Sequence, residues 1–181
     1  MVSSNETQLV VFDLDFTLWD CGGTWCDCLT PPFNGYAEEV TDAPAEGKPG
    51  GRVVDSRGAQ IRLYPDVEWI LNECEKRGIE MGIASRTEQP KWAAELLERL
   101  KIRDRFQYEE IYPTRKTKHF GAIQRESGVE LSNMVFFDDE IRNIHDISAI
   151  GVHSVFVERG INRELFENAL NMNDSGNPRL A

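Results

Sequence analysis

The chain has 181 residues, of which 28% are charged and 40% are hydrophobic, and its formal net charge is -11. This length suits one domain, and the acidic balance argues against broad binding to nucleic acid or anionic membranes, which favour basic surfaces. It also disfavours long-range attraction of a phosphorylated substrate, so any affinity for phosphate must be local. No apolar stretch approaches the roughly 20 residues of a membrane span, and no secretory signal is visible, so we expect a cytoplasmic protein.

The first predicted element is a buried strand at residues 9–12, LVVF, which runs directly into Asp13 and Asp15. Alternate side chains of a strand share a face, so these two carboxylates can converge where the chain leaves the sheet. Two close carboxylates raise each other's pKa unless a cation lies between them. Mg²⁺ binds through one or two carboxylates together with water and phosphate oxygens, so the pair indicates metal-assisted phosphate chemistry.

A segment of unusual composition follows the first strand. Residues 20–60 are rich in Gly, Pro, Asp and Glu and show little periodicity, which is too long for a plain connection in a compact domain. We predict a flap insertion at about residues 20–62 that closes with a small hairpin, 53–58 followed by 60–64. Trp19, Trp25 and Phe33 could form an aromatic wall around a substrate ring, or equally the small core of this insertion.

Three of the four cysteines, Cys21, Cys26 and Cys28, also lie in the predicted insertion. A structural zinc site needs four ligands, and no convincing fourth ligand lies nearby. We therefore expect reduced loop thiols rather than a zinc site.

After the insertion, helical spacing alternates with short apolar runs. This pattern predicts strands at 79–84, 110–112, 134–137 and 152–157, and helices at 65–78, 92–100, 119–127, 141–151 and 165–170. Alternating strands and helices imply an α/β domain over residues 1–181, with a parallel sheet covered on both faces. The polar tail, residues 171–181, is expected to be frayed.

Polar residues follow three of the predicted strands at the end where ligands bind in such sheets. They are Asp13, Ser85 and the pair Asp138–Asp139. Ser85 could instead cap the next helix, and the acidic pair could complement a helix dipole. Two consecutive Asp residues after a buried strand are costly without a cation, which favours a metal site.

Phosphoryl transfer requires a nucleophile, an acid/base and positive charge around the phosphoryl oxygens. Asp13 suits the nucleophile, since aspartate can form an aspartyl phosphate that splits one hard step into two. Asp15 could then protonate the leaving oxygen and later activate water. Ser85 offers a hydroxyl, and a lysine should neutralise the nucleophile and the phosphate together.

These residues resemble the motifs of the haloacid dehalogenase-like superfamily of aspartate-dependent phosphatases. The order is the family's: Asp13-Leu14-Asp15-Phe16-Thr17, then Ser85, a lysine, and Asp138–Asp139. The chain looks most similar to the magnesium-dependent phosphatase subfamily over residues 9–157. This resemblance is carried by FDLDFTLW at 12–19, PPF at 31–33, LYPDV at 63–67, ASRT at 84–87, IYP-x-x-K at 111–116 and VFFDDE-x-RNI at 135–144.

The resemblance implies a Rossmann-like core without a large cap domain, and Mg²⁺ as cofactor. It implies that Asp13 is nucleophile and metal ligand, and that Asp15 is the acid/base with its backbone carbonyl on the metal. Asp139 would be a direct metal ligand, while Asp138 would order a metal-bound water. The insertion departs from the family pattern, since it is longer and richer in Gly and Pro.

The resemblance also implies which residues face the substrate. Ser85 and Lys116 would hold the phosphoryl group, and Thr17 would support the loop. Lys116 fits the spacing after Ile-Tyr-Pro best, with Lys118 as the alternative. Arg86 could contact substrate anions, although a surface ion pair is the simpler interpretation.

Substrates implied by the family are phosphorylated small molecules or phosphoproteins, including phosphotyrosine and sugar-phosphate adducts. Two other functions compete with a phosphatase. A phospho-receiver signalling domain uses similar groups, but its acidic pair comes near the N-terminus and its lysine last, the reverse of the order here. A catalytically silent scaffold is disfavoured by the intact motif set. The sequence does not indicate an oligomeric state.

Overall fold

The computed structural model describes residues 6–37 and 53–175. Within these ranges the strands are β1 (Leu9–Phe12), β2 (Trp19–Asp20), β3 (Val53–Val54), β4 (Gln60–Leu63), β5 (Glu80–Ser85), β6 (Tyr108–Ile111), β7 (Met134–Asp138) and β8 (His153–Phe156). The α-helices are α1 (Val67–Lys76), α2 (Pro90–Arg99), α3 (Lys116–Ser127), α4 (Ile141–Ala149) and α5 (Arg163–Asp174).

Five parallel strands form the central sheet in the order β6-β5-β1-β7-β8. The side chains of β1 alternate between the two faces. Val10 and Phe12 pack in a cluster with residues of α1, α2 and α5, whereas Leu9 and Val11 pack with residues of α3 and α4. The strand is apolar throughout because both of its faces are covered, and the predicted α/β sheet is confirmed.

A second, antiparallel sheet of order β2-β4-β3 lies in the segment between β1 and α1. It contains the predicted hairpin, β3 and β4, and adds β2 to it. Trp19 and Phe33 are buried, so these two rings belong to a core. Trp25 is 55% exposed and its ring meets Phe16 edge-on, with ring centroids 5.8 Å apart. Residues 38–52 of the insertion lie outside the described ranges.

Two helix boundaries differ from the prediction by about three residues or more. Helix α3 begins at Lys116, three residues before the predicted start at His119. The prediction missed these residues because the first turn is polar and shows no apolar periodicity. Helix α5 continues to Asp174, so the expected fraying is wrong for residues 171–174. Asp174 Oδ1 accepts hydrogen bonds from the backbone N–H and the hydroxyl of Thr7, both at 2.8 Å, which ties the helix end to the start of the sheet. Residues 176–181 of the predicted frayed tail fall outside the described part.

In the described ranges, none of the helices combines the length and the apolar character that crossing a membrane would require.

Candidate active site

The carboxyl ends of three neighbouring strands carry the residues singled out in the sequence. Strand β1 lies between β5 and β7, and it runs into Asp13, while Ser85 ends β5 and Asp138 ends β7. The backbone N–H of Asp13 donates to the carbonyl of Phe137 at 2.9 Å, which continues the ladder between β1 and β7. Parallel pairing therefore brings residues from distant parts of the chain to one edge of the sheet.

Lys116 occupies the centre of this edge. As the first residue of α3, it is almost fully buried, and its ammonium lies 2.5 Å from Asp13 Oδ1 and 3.0 Å from Asp138 Oδ2. It also donates to the backbone carbonyl of Ala84. Lys118 is exposed on the same helix. Of the two lysines weighed from the sequence, Lys116 is thus the one in contact with Asp13.

Negative charge exceeds positive charge around Lys116. One oxygen from each of Asp13, Asp138 and Asp139 lies within 4.8 Å of the others. Burial raises the pKa of Asp13; the Lys116 ammonium opposes this rise, and Asp138 and Asp139 add to it. Burial disfavours the charged form of Lys116, but Asp13 and Asp138 outweigh burial and raise the pKa of Lys116. One ammonium therefore faces three carboxylates.

The donor set of this cluster fits a hard divalent cation. Mg²⁺ takes carboxylate oxygens, and three of them converge here in a partly desolvated setting. Burial, together with the neighbouring Asp138, raises the pKa of Asp139 to about 7. A bound dication would remove this repulsion and favour the ionised carboxylates. Among the described residues, the side chain of Asp15 is not part of this carboxylate cluster.

Asp138 is held in place from several sides. Its Oδ1 accepts from the backbone N–H of Glu140 at 2.7 Å. The side-chain amide of Asn143, in the first turn of α4, donates to Oδ2 at 3.0 Å and to Oδ1 at 3.2 Å. Because Asp138 is fully buried, these bonds and the Lys116 ammonium replace the water that would otherwise solvate its charge.

Asp15 is oriented by the start of the insertion. Its Oδ1 accepts from the indole N–H of Trp19 at 2.7 Å and from the backbone N–H of Cys26 at 3.0 Å, and the thiol of Cys21 lies at 3.6 Å. Burial raises the pKa of Asp15, although these hydrogen bonds oppose the rise. A carboxyl with a raised pKa is better able to carry a proton, which suits an acid/base.

The cysteines show no disulfide and no zinc cluster within the described ranges. Cys21 and Cys26 are buried free thiols, and Cys28 is an exposed one. Burial is the main reason why the pKa values of Cys21 and Cys26 lie well above that of a free thiol. These thiols are therefore protonated near neutral pH.

Ser85 lies at the buried end of β5, where its hydroxyl is 3.4 Å from the backbone N–H of Thr87. The hydroxyl of Thr87 bonds to Asp27 of the insertion and also accepts from the N–H of Gln89 at 3.0 Å. Asp27 thus joins the insertion to the loop that carries Ser85.

The loop after Asp13 has a backbone that few residues adopt. Phe16 has φ +58°, in the left-handed region. Its carbonyl accepts from the N–H of Gly160 at 2.9 Å, and the carbonyl of Thr17 accepts from the N–H of Ile161 at 3.0 Å. Thr17 is fully buried, and its hydroxyl has no hydrogen-bond partner among the described residues. Its backbone, rather than its hydroxyl, fixes the loop in this structure.

Comparison with known proteins identifies the family of this chain. A family model described as Acid Phosphatase matches residues 6–175. Human Magnesium-dependent phosphatase 1 is 37% identical over 164 residues, which cover 90% of this chain and 85% of the relative. A Schizosaccharomyces pombe protein named HAD-like hydrolase superfamily protein P8B7.31 is 35% identical over 162 residues, covering 84% and 85% of the two chains.

The chain belongs to the acid phosphatase family of the haloacid dehalogenase-like superfamily. The fold agrees with this assignment. The crystal structure of a putative phosphatase from Clostridium difficile superposes with a TM-score of 0.64 at 15% identity, covering 91% of this chain and 99% of that one.

Several residues around this acid phosphatase site were not found from the sequence. The sequence indicated Asn143 only as part of the motif at 135–144, and it did not single out Asp27. Trp19 was considered as a ring and not as a hydrogen-bond donor to Asp15. The motif RNI after the acidic pair could have indicated Asn143, since an amide in the first turn of a helix lies close to the strand end that precedes it.

Proposed function

We propose that this chain is a magnesium-dependent phosphomonoester hydrolase that works through an aspartyl phosphate on Asp13. The observation that carries the proposal is the position of Asp13, in contact with the Lys116 ammonium and within 4.8 Å of two further carboxylates at the carboxyl edge of the sheet. The family assignment and the similarity to human Magnesium-dependent phosphatase 1 support the activity and the metal.

In the first step, a carboxylate oxygen of Asp13 attacks the phosphorus of the substrate, and the bond between phosphorus and the leaving oxygen breaks. Asp15 gives its proton to that leaving oxygen. In the second step, Asp15 takes a proton from a water molecule, whose oxygen attacks the phosphorus of the aspartyl phosphate. Inorganic phosphate leaves, Asp13 is restored as a carboxylate, and Asp15 is again protonated.

The other residues of the site stabilise the negative charge of the phosphoryl group. Lys116 offsets the negative charge that would otherwise keep a phosphate away from Asp13, and the Ser85 hydroxyl can donate to a phosphoryl oxygen. The carboxylates of Asp13 and Asp139, with the backbone carbonyl of Asp15, would hold Mg²⁺, and Asp138, the third carboxylate of the cluster, would order a water on the metal. When bound, Mg²⁺ supplies charge stabilisation to the phosphoryl oxygens.

Phosphomonoesters on small molecules or on protein side chains are the proposed substrates, including phosphotyrosine and sugar-phosphate adducts. The exposed ring of Trp25 packs edge-on against Phe16, three residues after the nucleophile, and offers an apolar surface beside the loop that carries Asp13 and Asp15. An aromatic face suits either an aryl ring or the apolar side of a sugar.

The direct test is phosphate release from para-nitrophenyl phosphate with Mg²⁺, after removal of metal with EDTA, and after Mg²⁺ is restored. We expect EDTA to stop turnover and Mg²⁺ to restore it, because three carboxylates and a phosphate then lack their counter-ion. Calcium at the same concentration serves as a control, since it prefers more ligands and longer bonds. Turnover that is indifferent to EDTA would reject the metal-dependent mechanism.

Replacing Asp15 by Asn should slow both chemical steps by about 10²- to 10⁴-fold, because the proton donor and acceptor is lost while the shape is kept. Mg²⁺ binding should be largely unchanged, since the Asp15 carboxylate is outside the metal cluster. Stopped-flow kinetics and calorimetric titration with Mg²⁺ measure the two quantities.

The exposed Asp104 provides a matched control for this variant, and Asp104→Asn should behave as the wild type in both assays. Wild-type rates in Asp15→Asn would remove Asp15 as the acid/base.

A further inference from the structure

A small cavity of about 90 Å³ lies next to the proposed catalytic site. Three arginines dominate its lining, and the complete set is Arg86, Arg115, Lys116, Arg142, Asn143 and Asp146. We call this cavity the arginine cleft. Lys116 belongs both to this lining and to the contacts of Asp13, so the cleft and the phosphoryl site share a side chain.

Each arginine of the cleft lies close in the sequence to a predicted active-site residue. Arg86 follows Ser85 at the end of β5, and Arg115 immediately precedes Lys116 at the start of α3. Arg142 lies in the first turn of α4, shortly after the acidic pair. The same sheet edge that positions the catalytic groups therefore positions the three guanidinium groups.

The positive charge of the cleft is only partly neutralised. Arg86 and Arg142 approach the same carboxylate, Glu140 Oε2, at 3.4 and 3.9 Å, which are long distances for ion pairs. Arg115 is exposed and forms no ion pair with any residue of the described ranges, and Asp146 is the one acidic residue in the lining. In a chain of net charge -11, such a cluster indicates a local preference for anions.

Two helix ends add to this preference. Helices α3 and α4 begin at the cleft, and no side chain caps either N-terminus. The N-terminal turn of a helix carries partial positive charge and free N–H groups that favour an anion. Guanidinium groups bind carboxylate and phosphate through paired hydrogen bonds, which ammonium groups do not reproduce.

We propose that the arginine cleft binds a second anionic group of the substrate, so that the enzyme prefers phosphomonoesters that also carry a carboxylate or a second phosphate. This inference rests on the proposed phosphatase function and specifies its substrate class. It also explains how a strongly acidic protein can select an anionic substrate, because the selection takes place at short range, where screening by salt is weak.

Three matched compounds test the proposal as competitive inhibitors of para-nitrophenyl phosphate turnover at constant free Mg²⁺. Glycerol 3-phosphate, 3-phosphoglycerate and glycerol 1,3-bisphosphate share one phosphate and a three-carbon chain, and they differ in a neutral, carboxylate or phosphate group at the far carbon. We expect 3-phosphoglycerate, glycerol 1,3-bisphosphate or both to bind at least about tenfold more tightly than glycerol 3-phosphate, because a second anionic group can accept charge-assisted hydrogen bonds. Comparing the inhibition constants of 3-phosphoglycerate and glycerol 1,3-bisphosphate shows whether the cleft prefers a carboxylate or a phosphate as the second anionic group.

The double variant Arg115→Gln/Arg142→Gln should reduce this difference in inhibition constant to about threefold or less, since both exposed guanidinium groups are lost. Turnover of para-nitrophenyl phosphate, which has no second anion, should fall by less than about threefold, the size of a surface charge effect. Arg125→Gln removes the same charge from the exposed far end of α3, and it should keep the wild-type preference.

Equal inhibition constants for the three compounds in the wild type, or no inhibition by any of them, would overturn the proposal. A double variant that keeps the wild-type preference would also overturn it. These results differ from a failure of the proposed function, which would appear as the absence of Mg²⁺-dependent turnover of para-nitrophenyl phosphate by the wild type.

Discussion

Replacing Asp13 by Asn is expected to lower turnover of para-nitrophenyl phosphate by at least about 10⁴-fold, because an amide cannot attack the phosphorus as a carboxylate does. Asn keeps the shape of the side chain, and it can still accept a hydrogen bond from Lys116. The loss should therefore be in the chemical step and not in folding. Steady-state kinetics measure the loss, and thermal unfolding of the variant shows whether the fold is retained.

The intermediate provides a second measurement on the same residue. Rapid acid quenching with isotopically labelled substrate should leave labelled phosphate on Asp13 of the wild type and none on Asp13→Asn. Appreciable turnover by the variant would remove Asp13 as the nucleophile. A labelled wild type whose aspartyl phosphate is never hydrolysed would instead favour a phospho-receiver function.

Replacing Lys116 by Met should have the next largest effect, on both stability and activity. Lys116 is the ammonium between Asp13 and Asp138, and all three side chains are buried or nearly so. Removing one partner of a buried ion pair leaves uncompensated charge and costs about 3–5 kcal/mol of the free energy of unfolding. Urea unfolding in EDTA measures this loss, and phosphatase assays should show little or no turnover.

Mg²⁺ should offset part of this destabilisation, because a dication bound only by the folded state stabilises it and supplies the missing positive charge. Lys118→Met is the matched control, since this lysine is exposed two positions along the same helix. It should be nearly as stable and as active as the wild type. If Lys118→Met lost activity while Lys116→Met kept it, the assignment of the motif lysine would be wrong.

Much of the sheet and of its polar edge was predictable because both follow from local patterns. A fully apolar run such as LVVF indicates a strand buried on both faces, and the polar residue after each strand marks the edge where ligands bind. The family resemblance, through the spacing after Ile-Tyr-Pro, also favoured Lys116 over Lys118. These signals lie within a few residues of each other in the chain.

The remaining contacts of the site depend on tertiary packing, which no local pattern encodes. The indole N–H of Trp19 donates to Asp15 because a tight turn brings the two side chains together. Asp27 accepts from the Thr87 hydroxyl, although Asp27 lies in a segment without periodicity. The start of α3 was missed because its first turn is polar, although that turn carries the buried Lys116. Polar residues that are buried through partners distant in sequence are the group that periodicity does not identify.

The turn at Gly160 has a consequence for the order in which a nascent chain becomes competent. Gly160 has φ +71°, and a side chain there would overlap the ring of Tyr64, so only glycine fits. Its N–H and that of Ile161 hold the carbonyls of Phe16 and Thr17. The loop of Asp13 and Asp15 therefore leaves the ribosome long before the turn that fixes it. A polypeptide released before this turn would contain every motif residue but would lack the two hydrogen bonds that fix the loop after Asp13. We expect such a truncated chain to have no phosphatase activity.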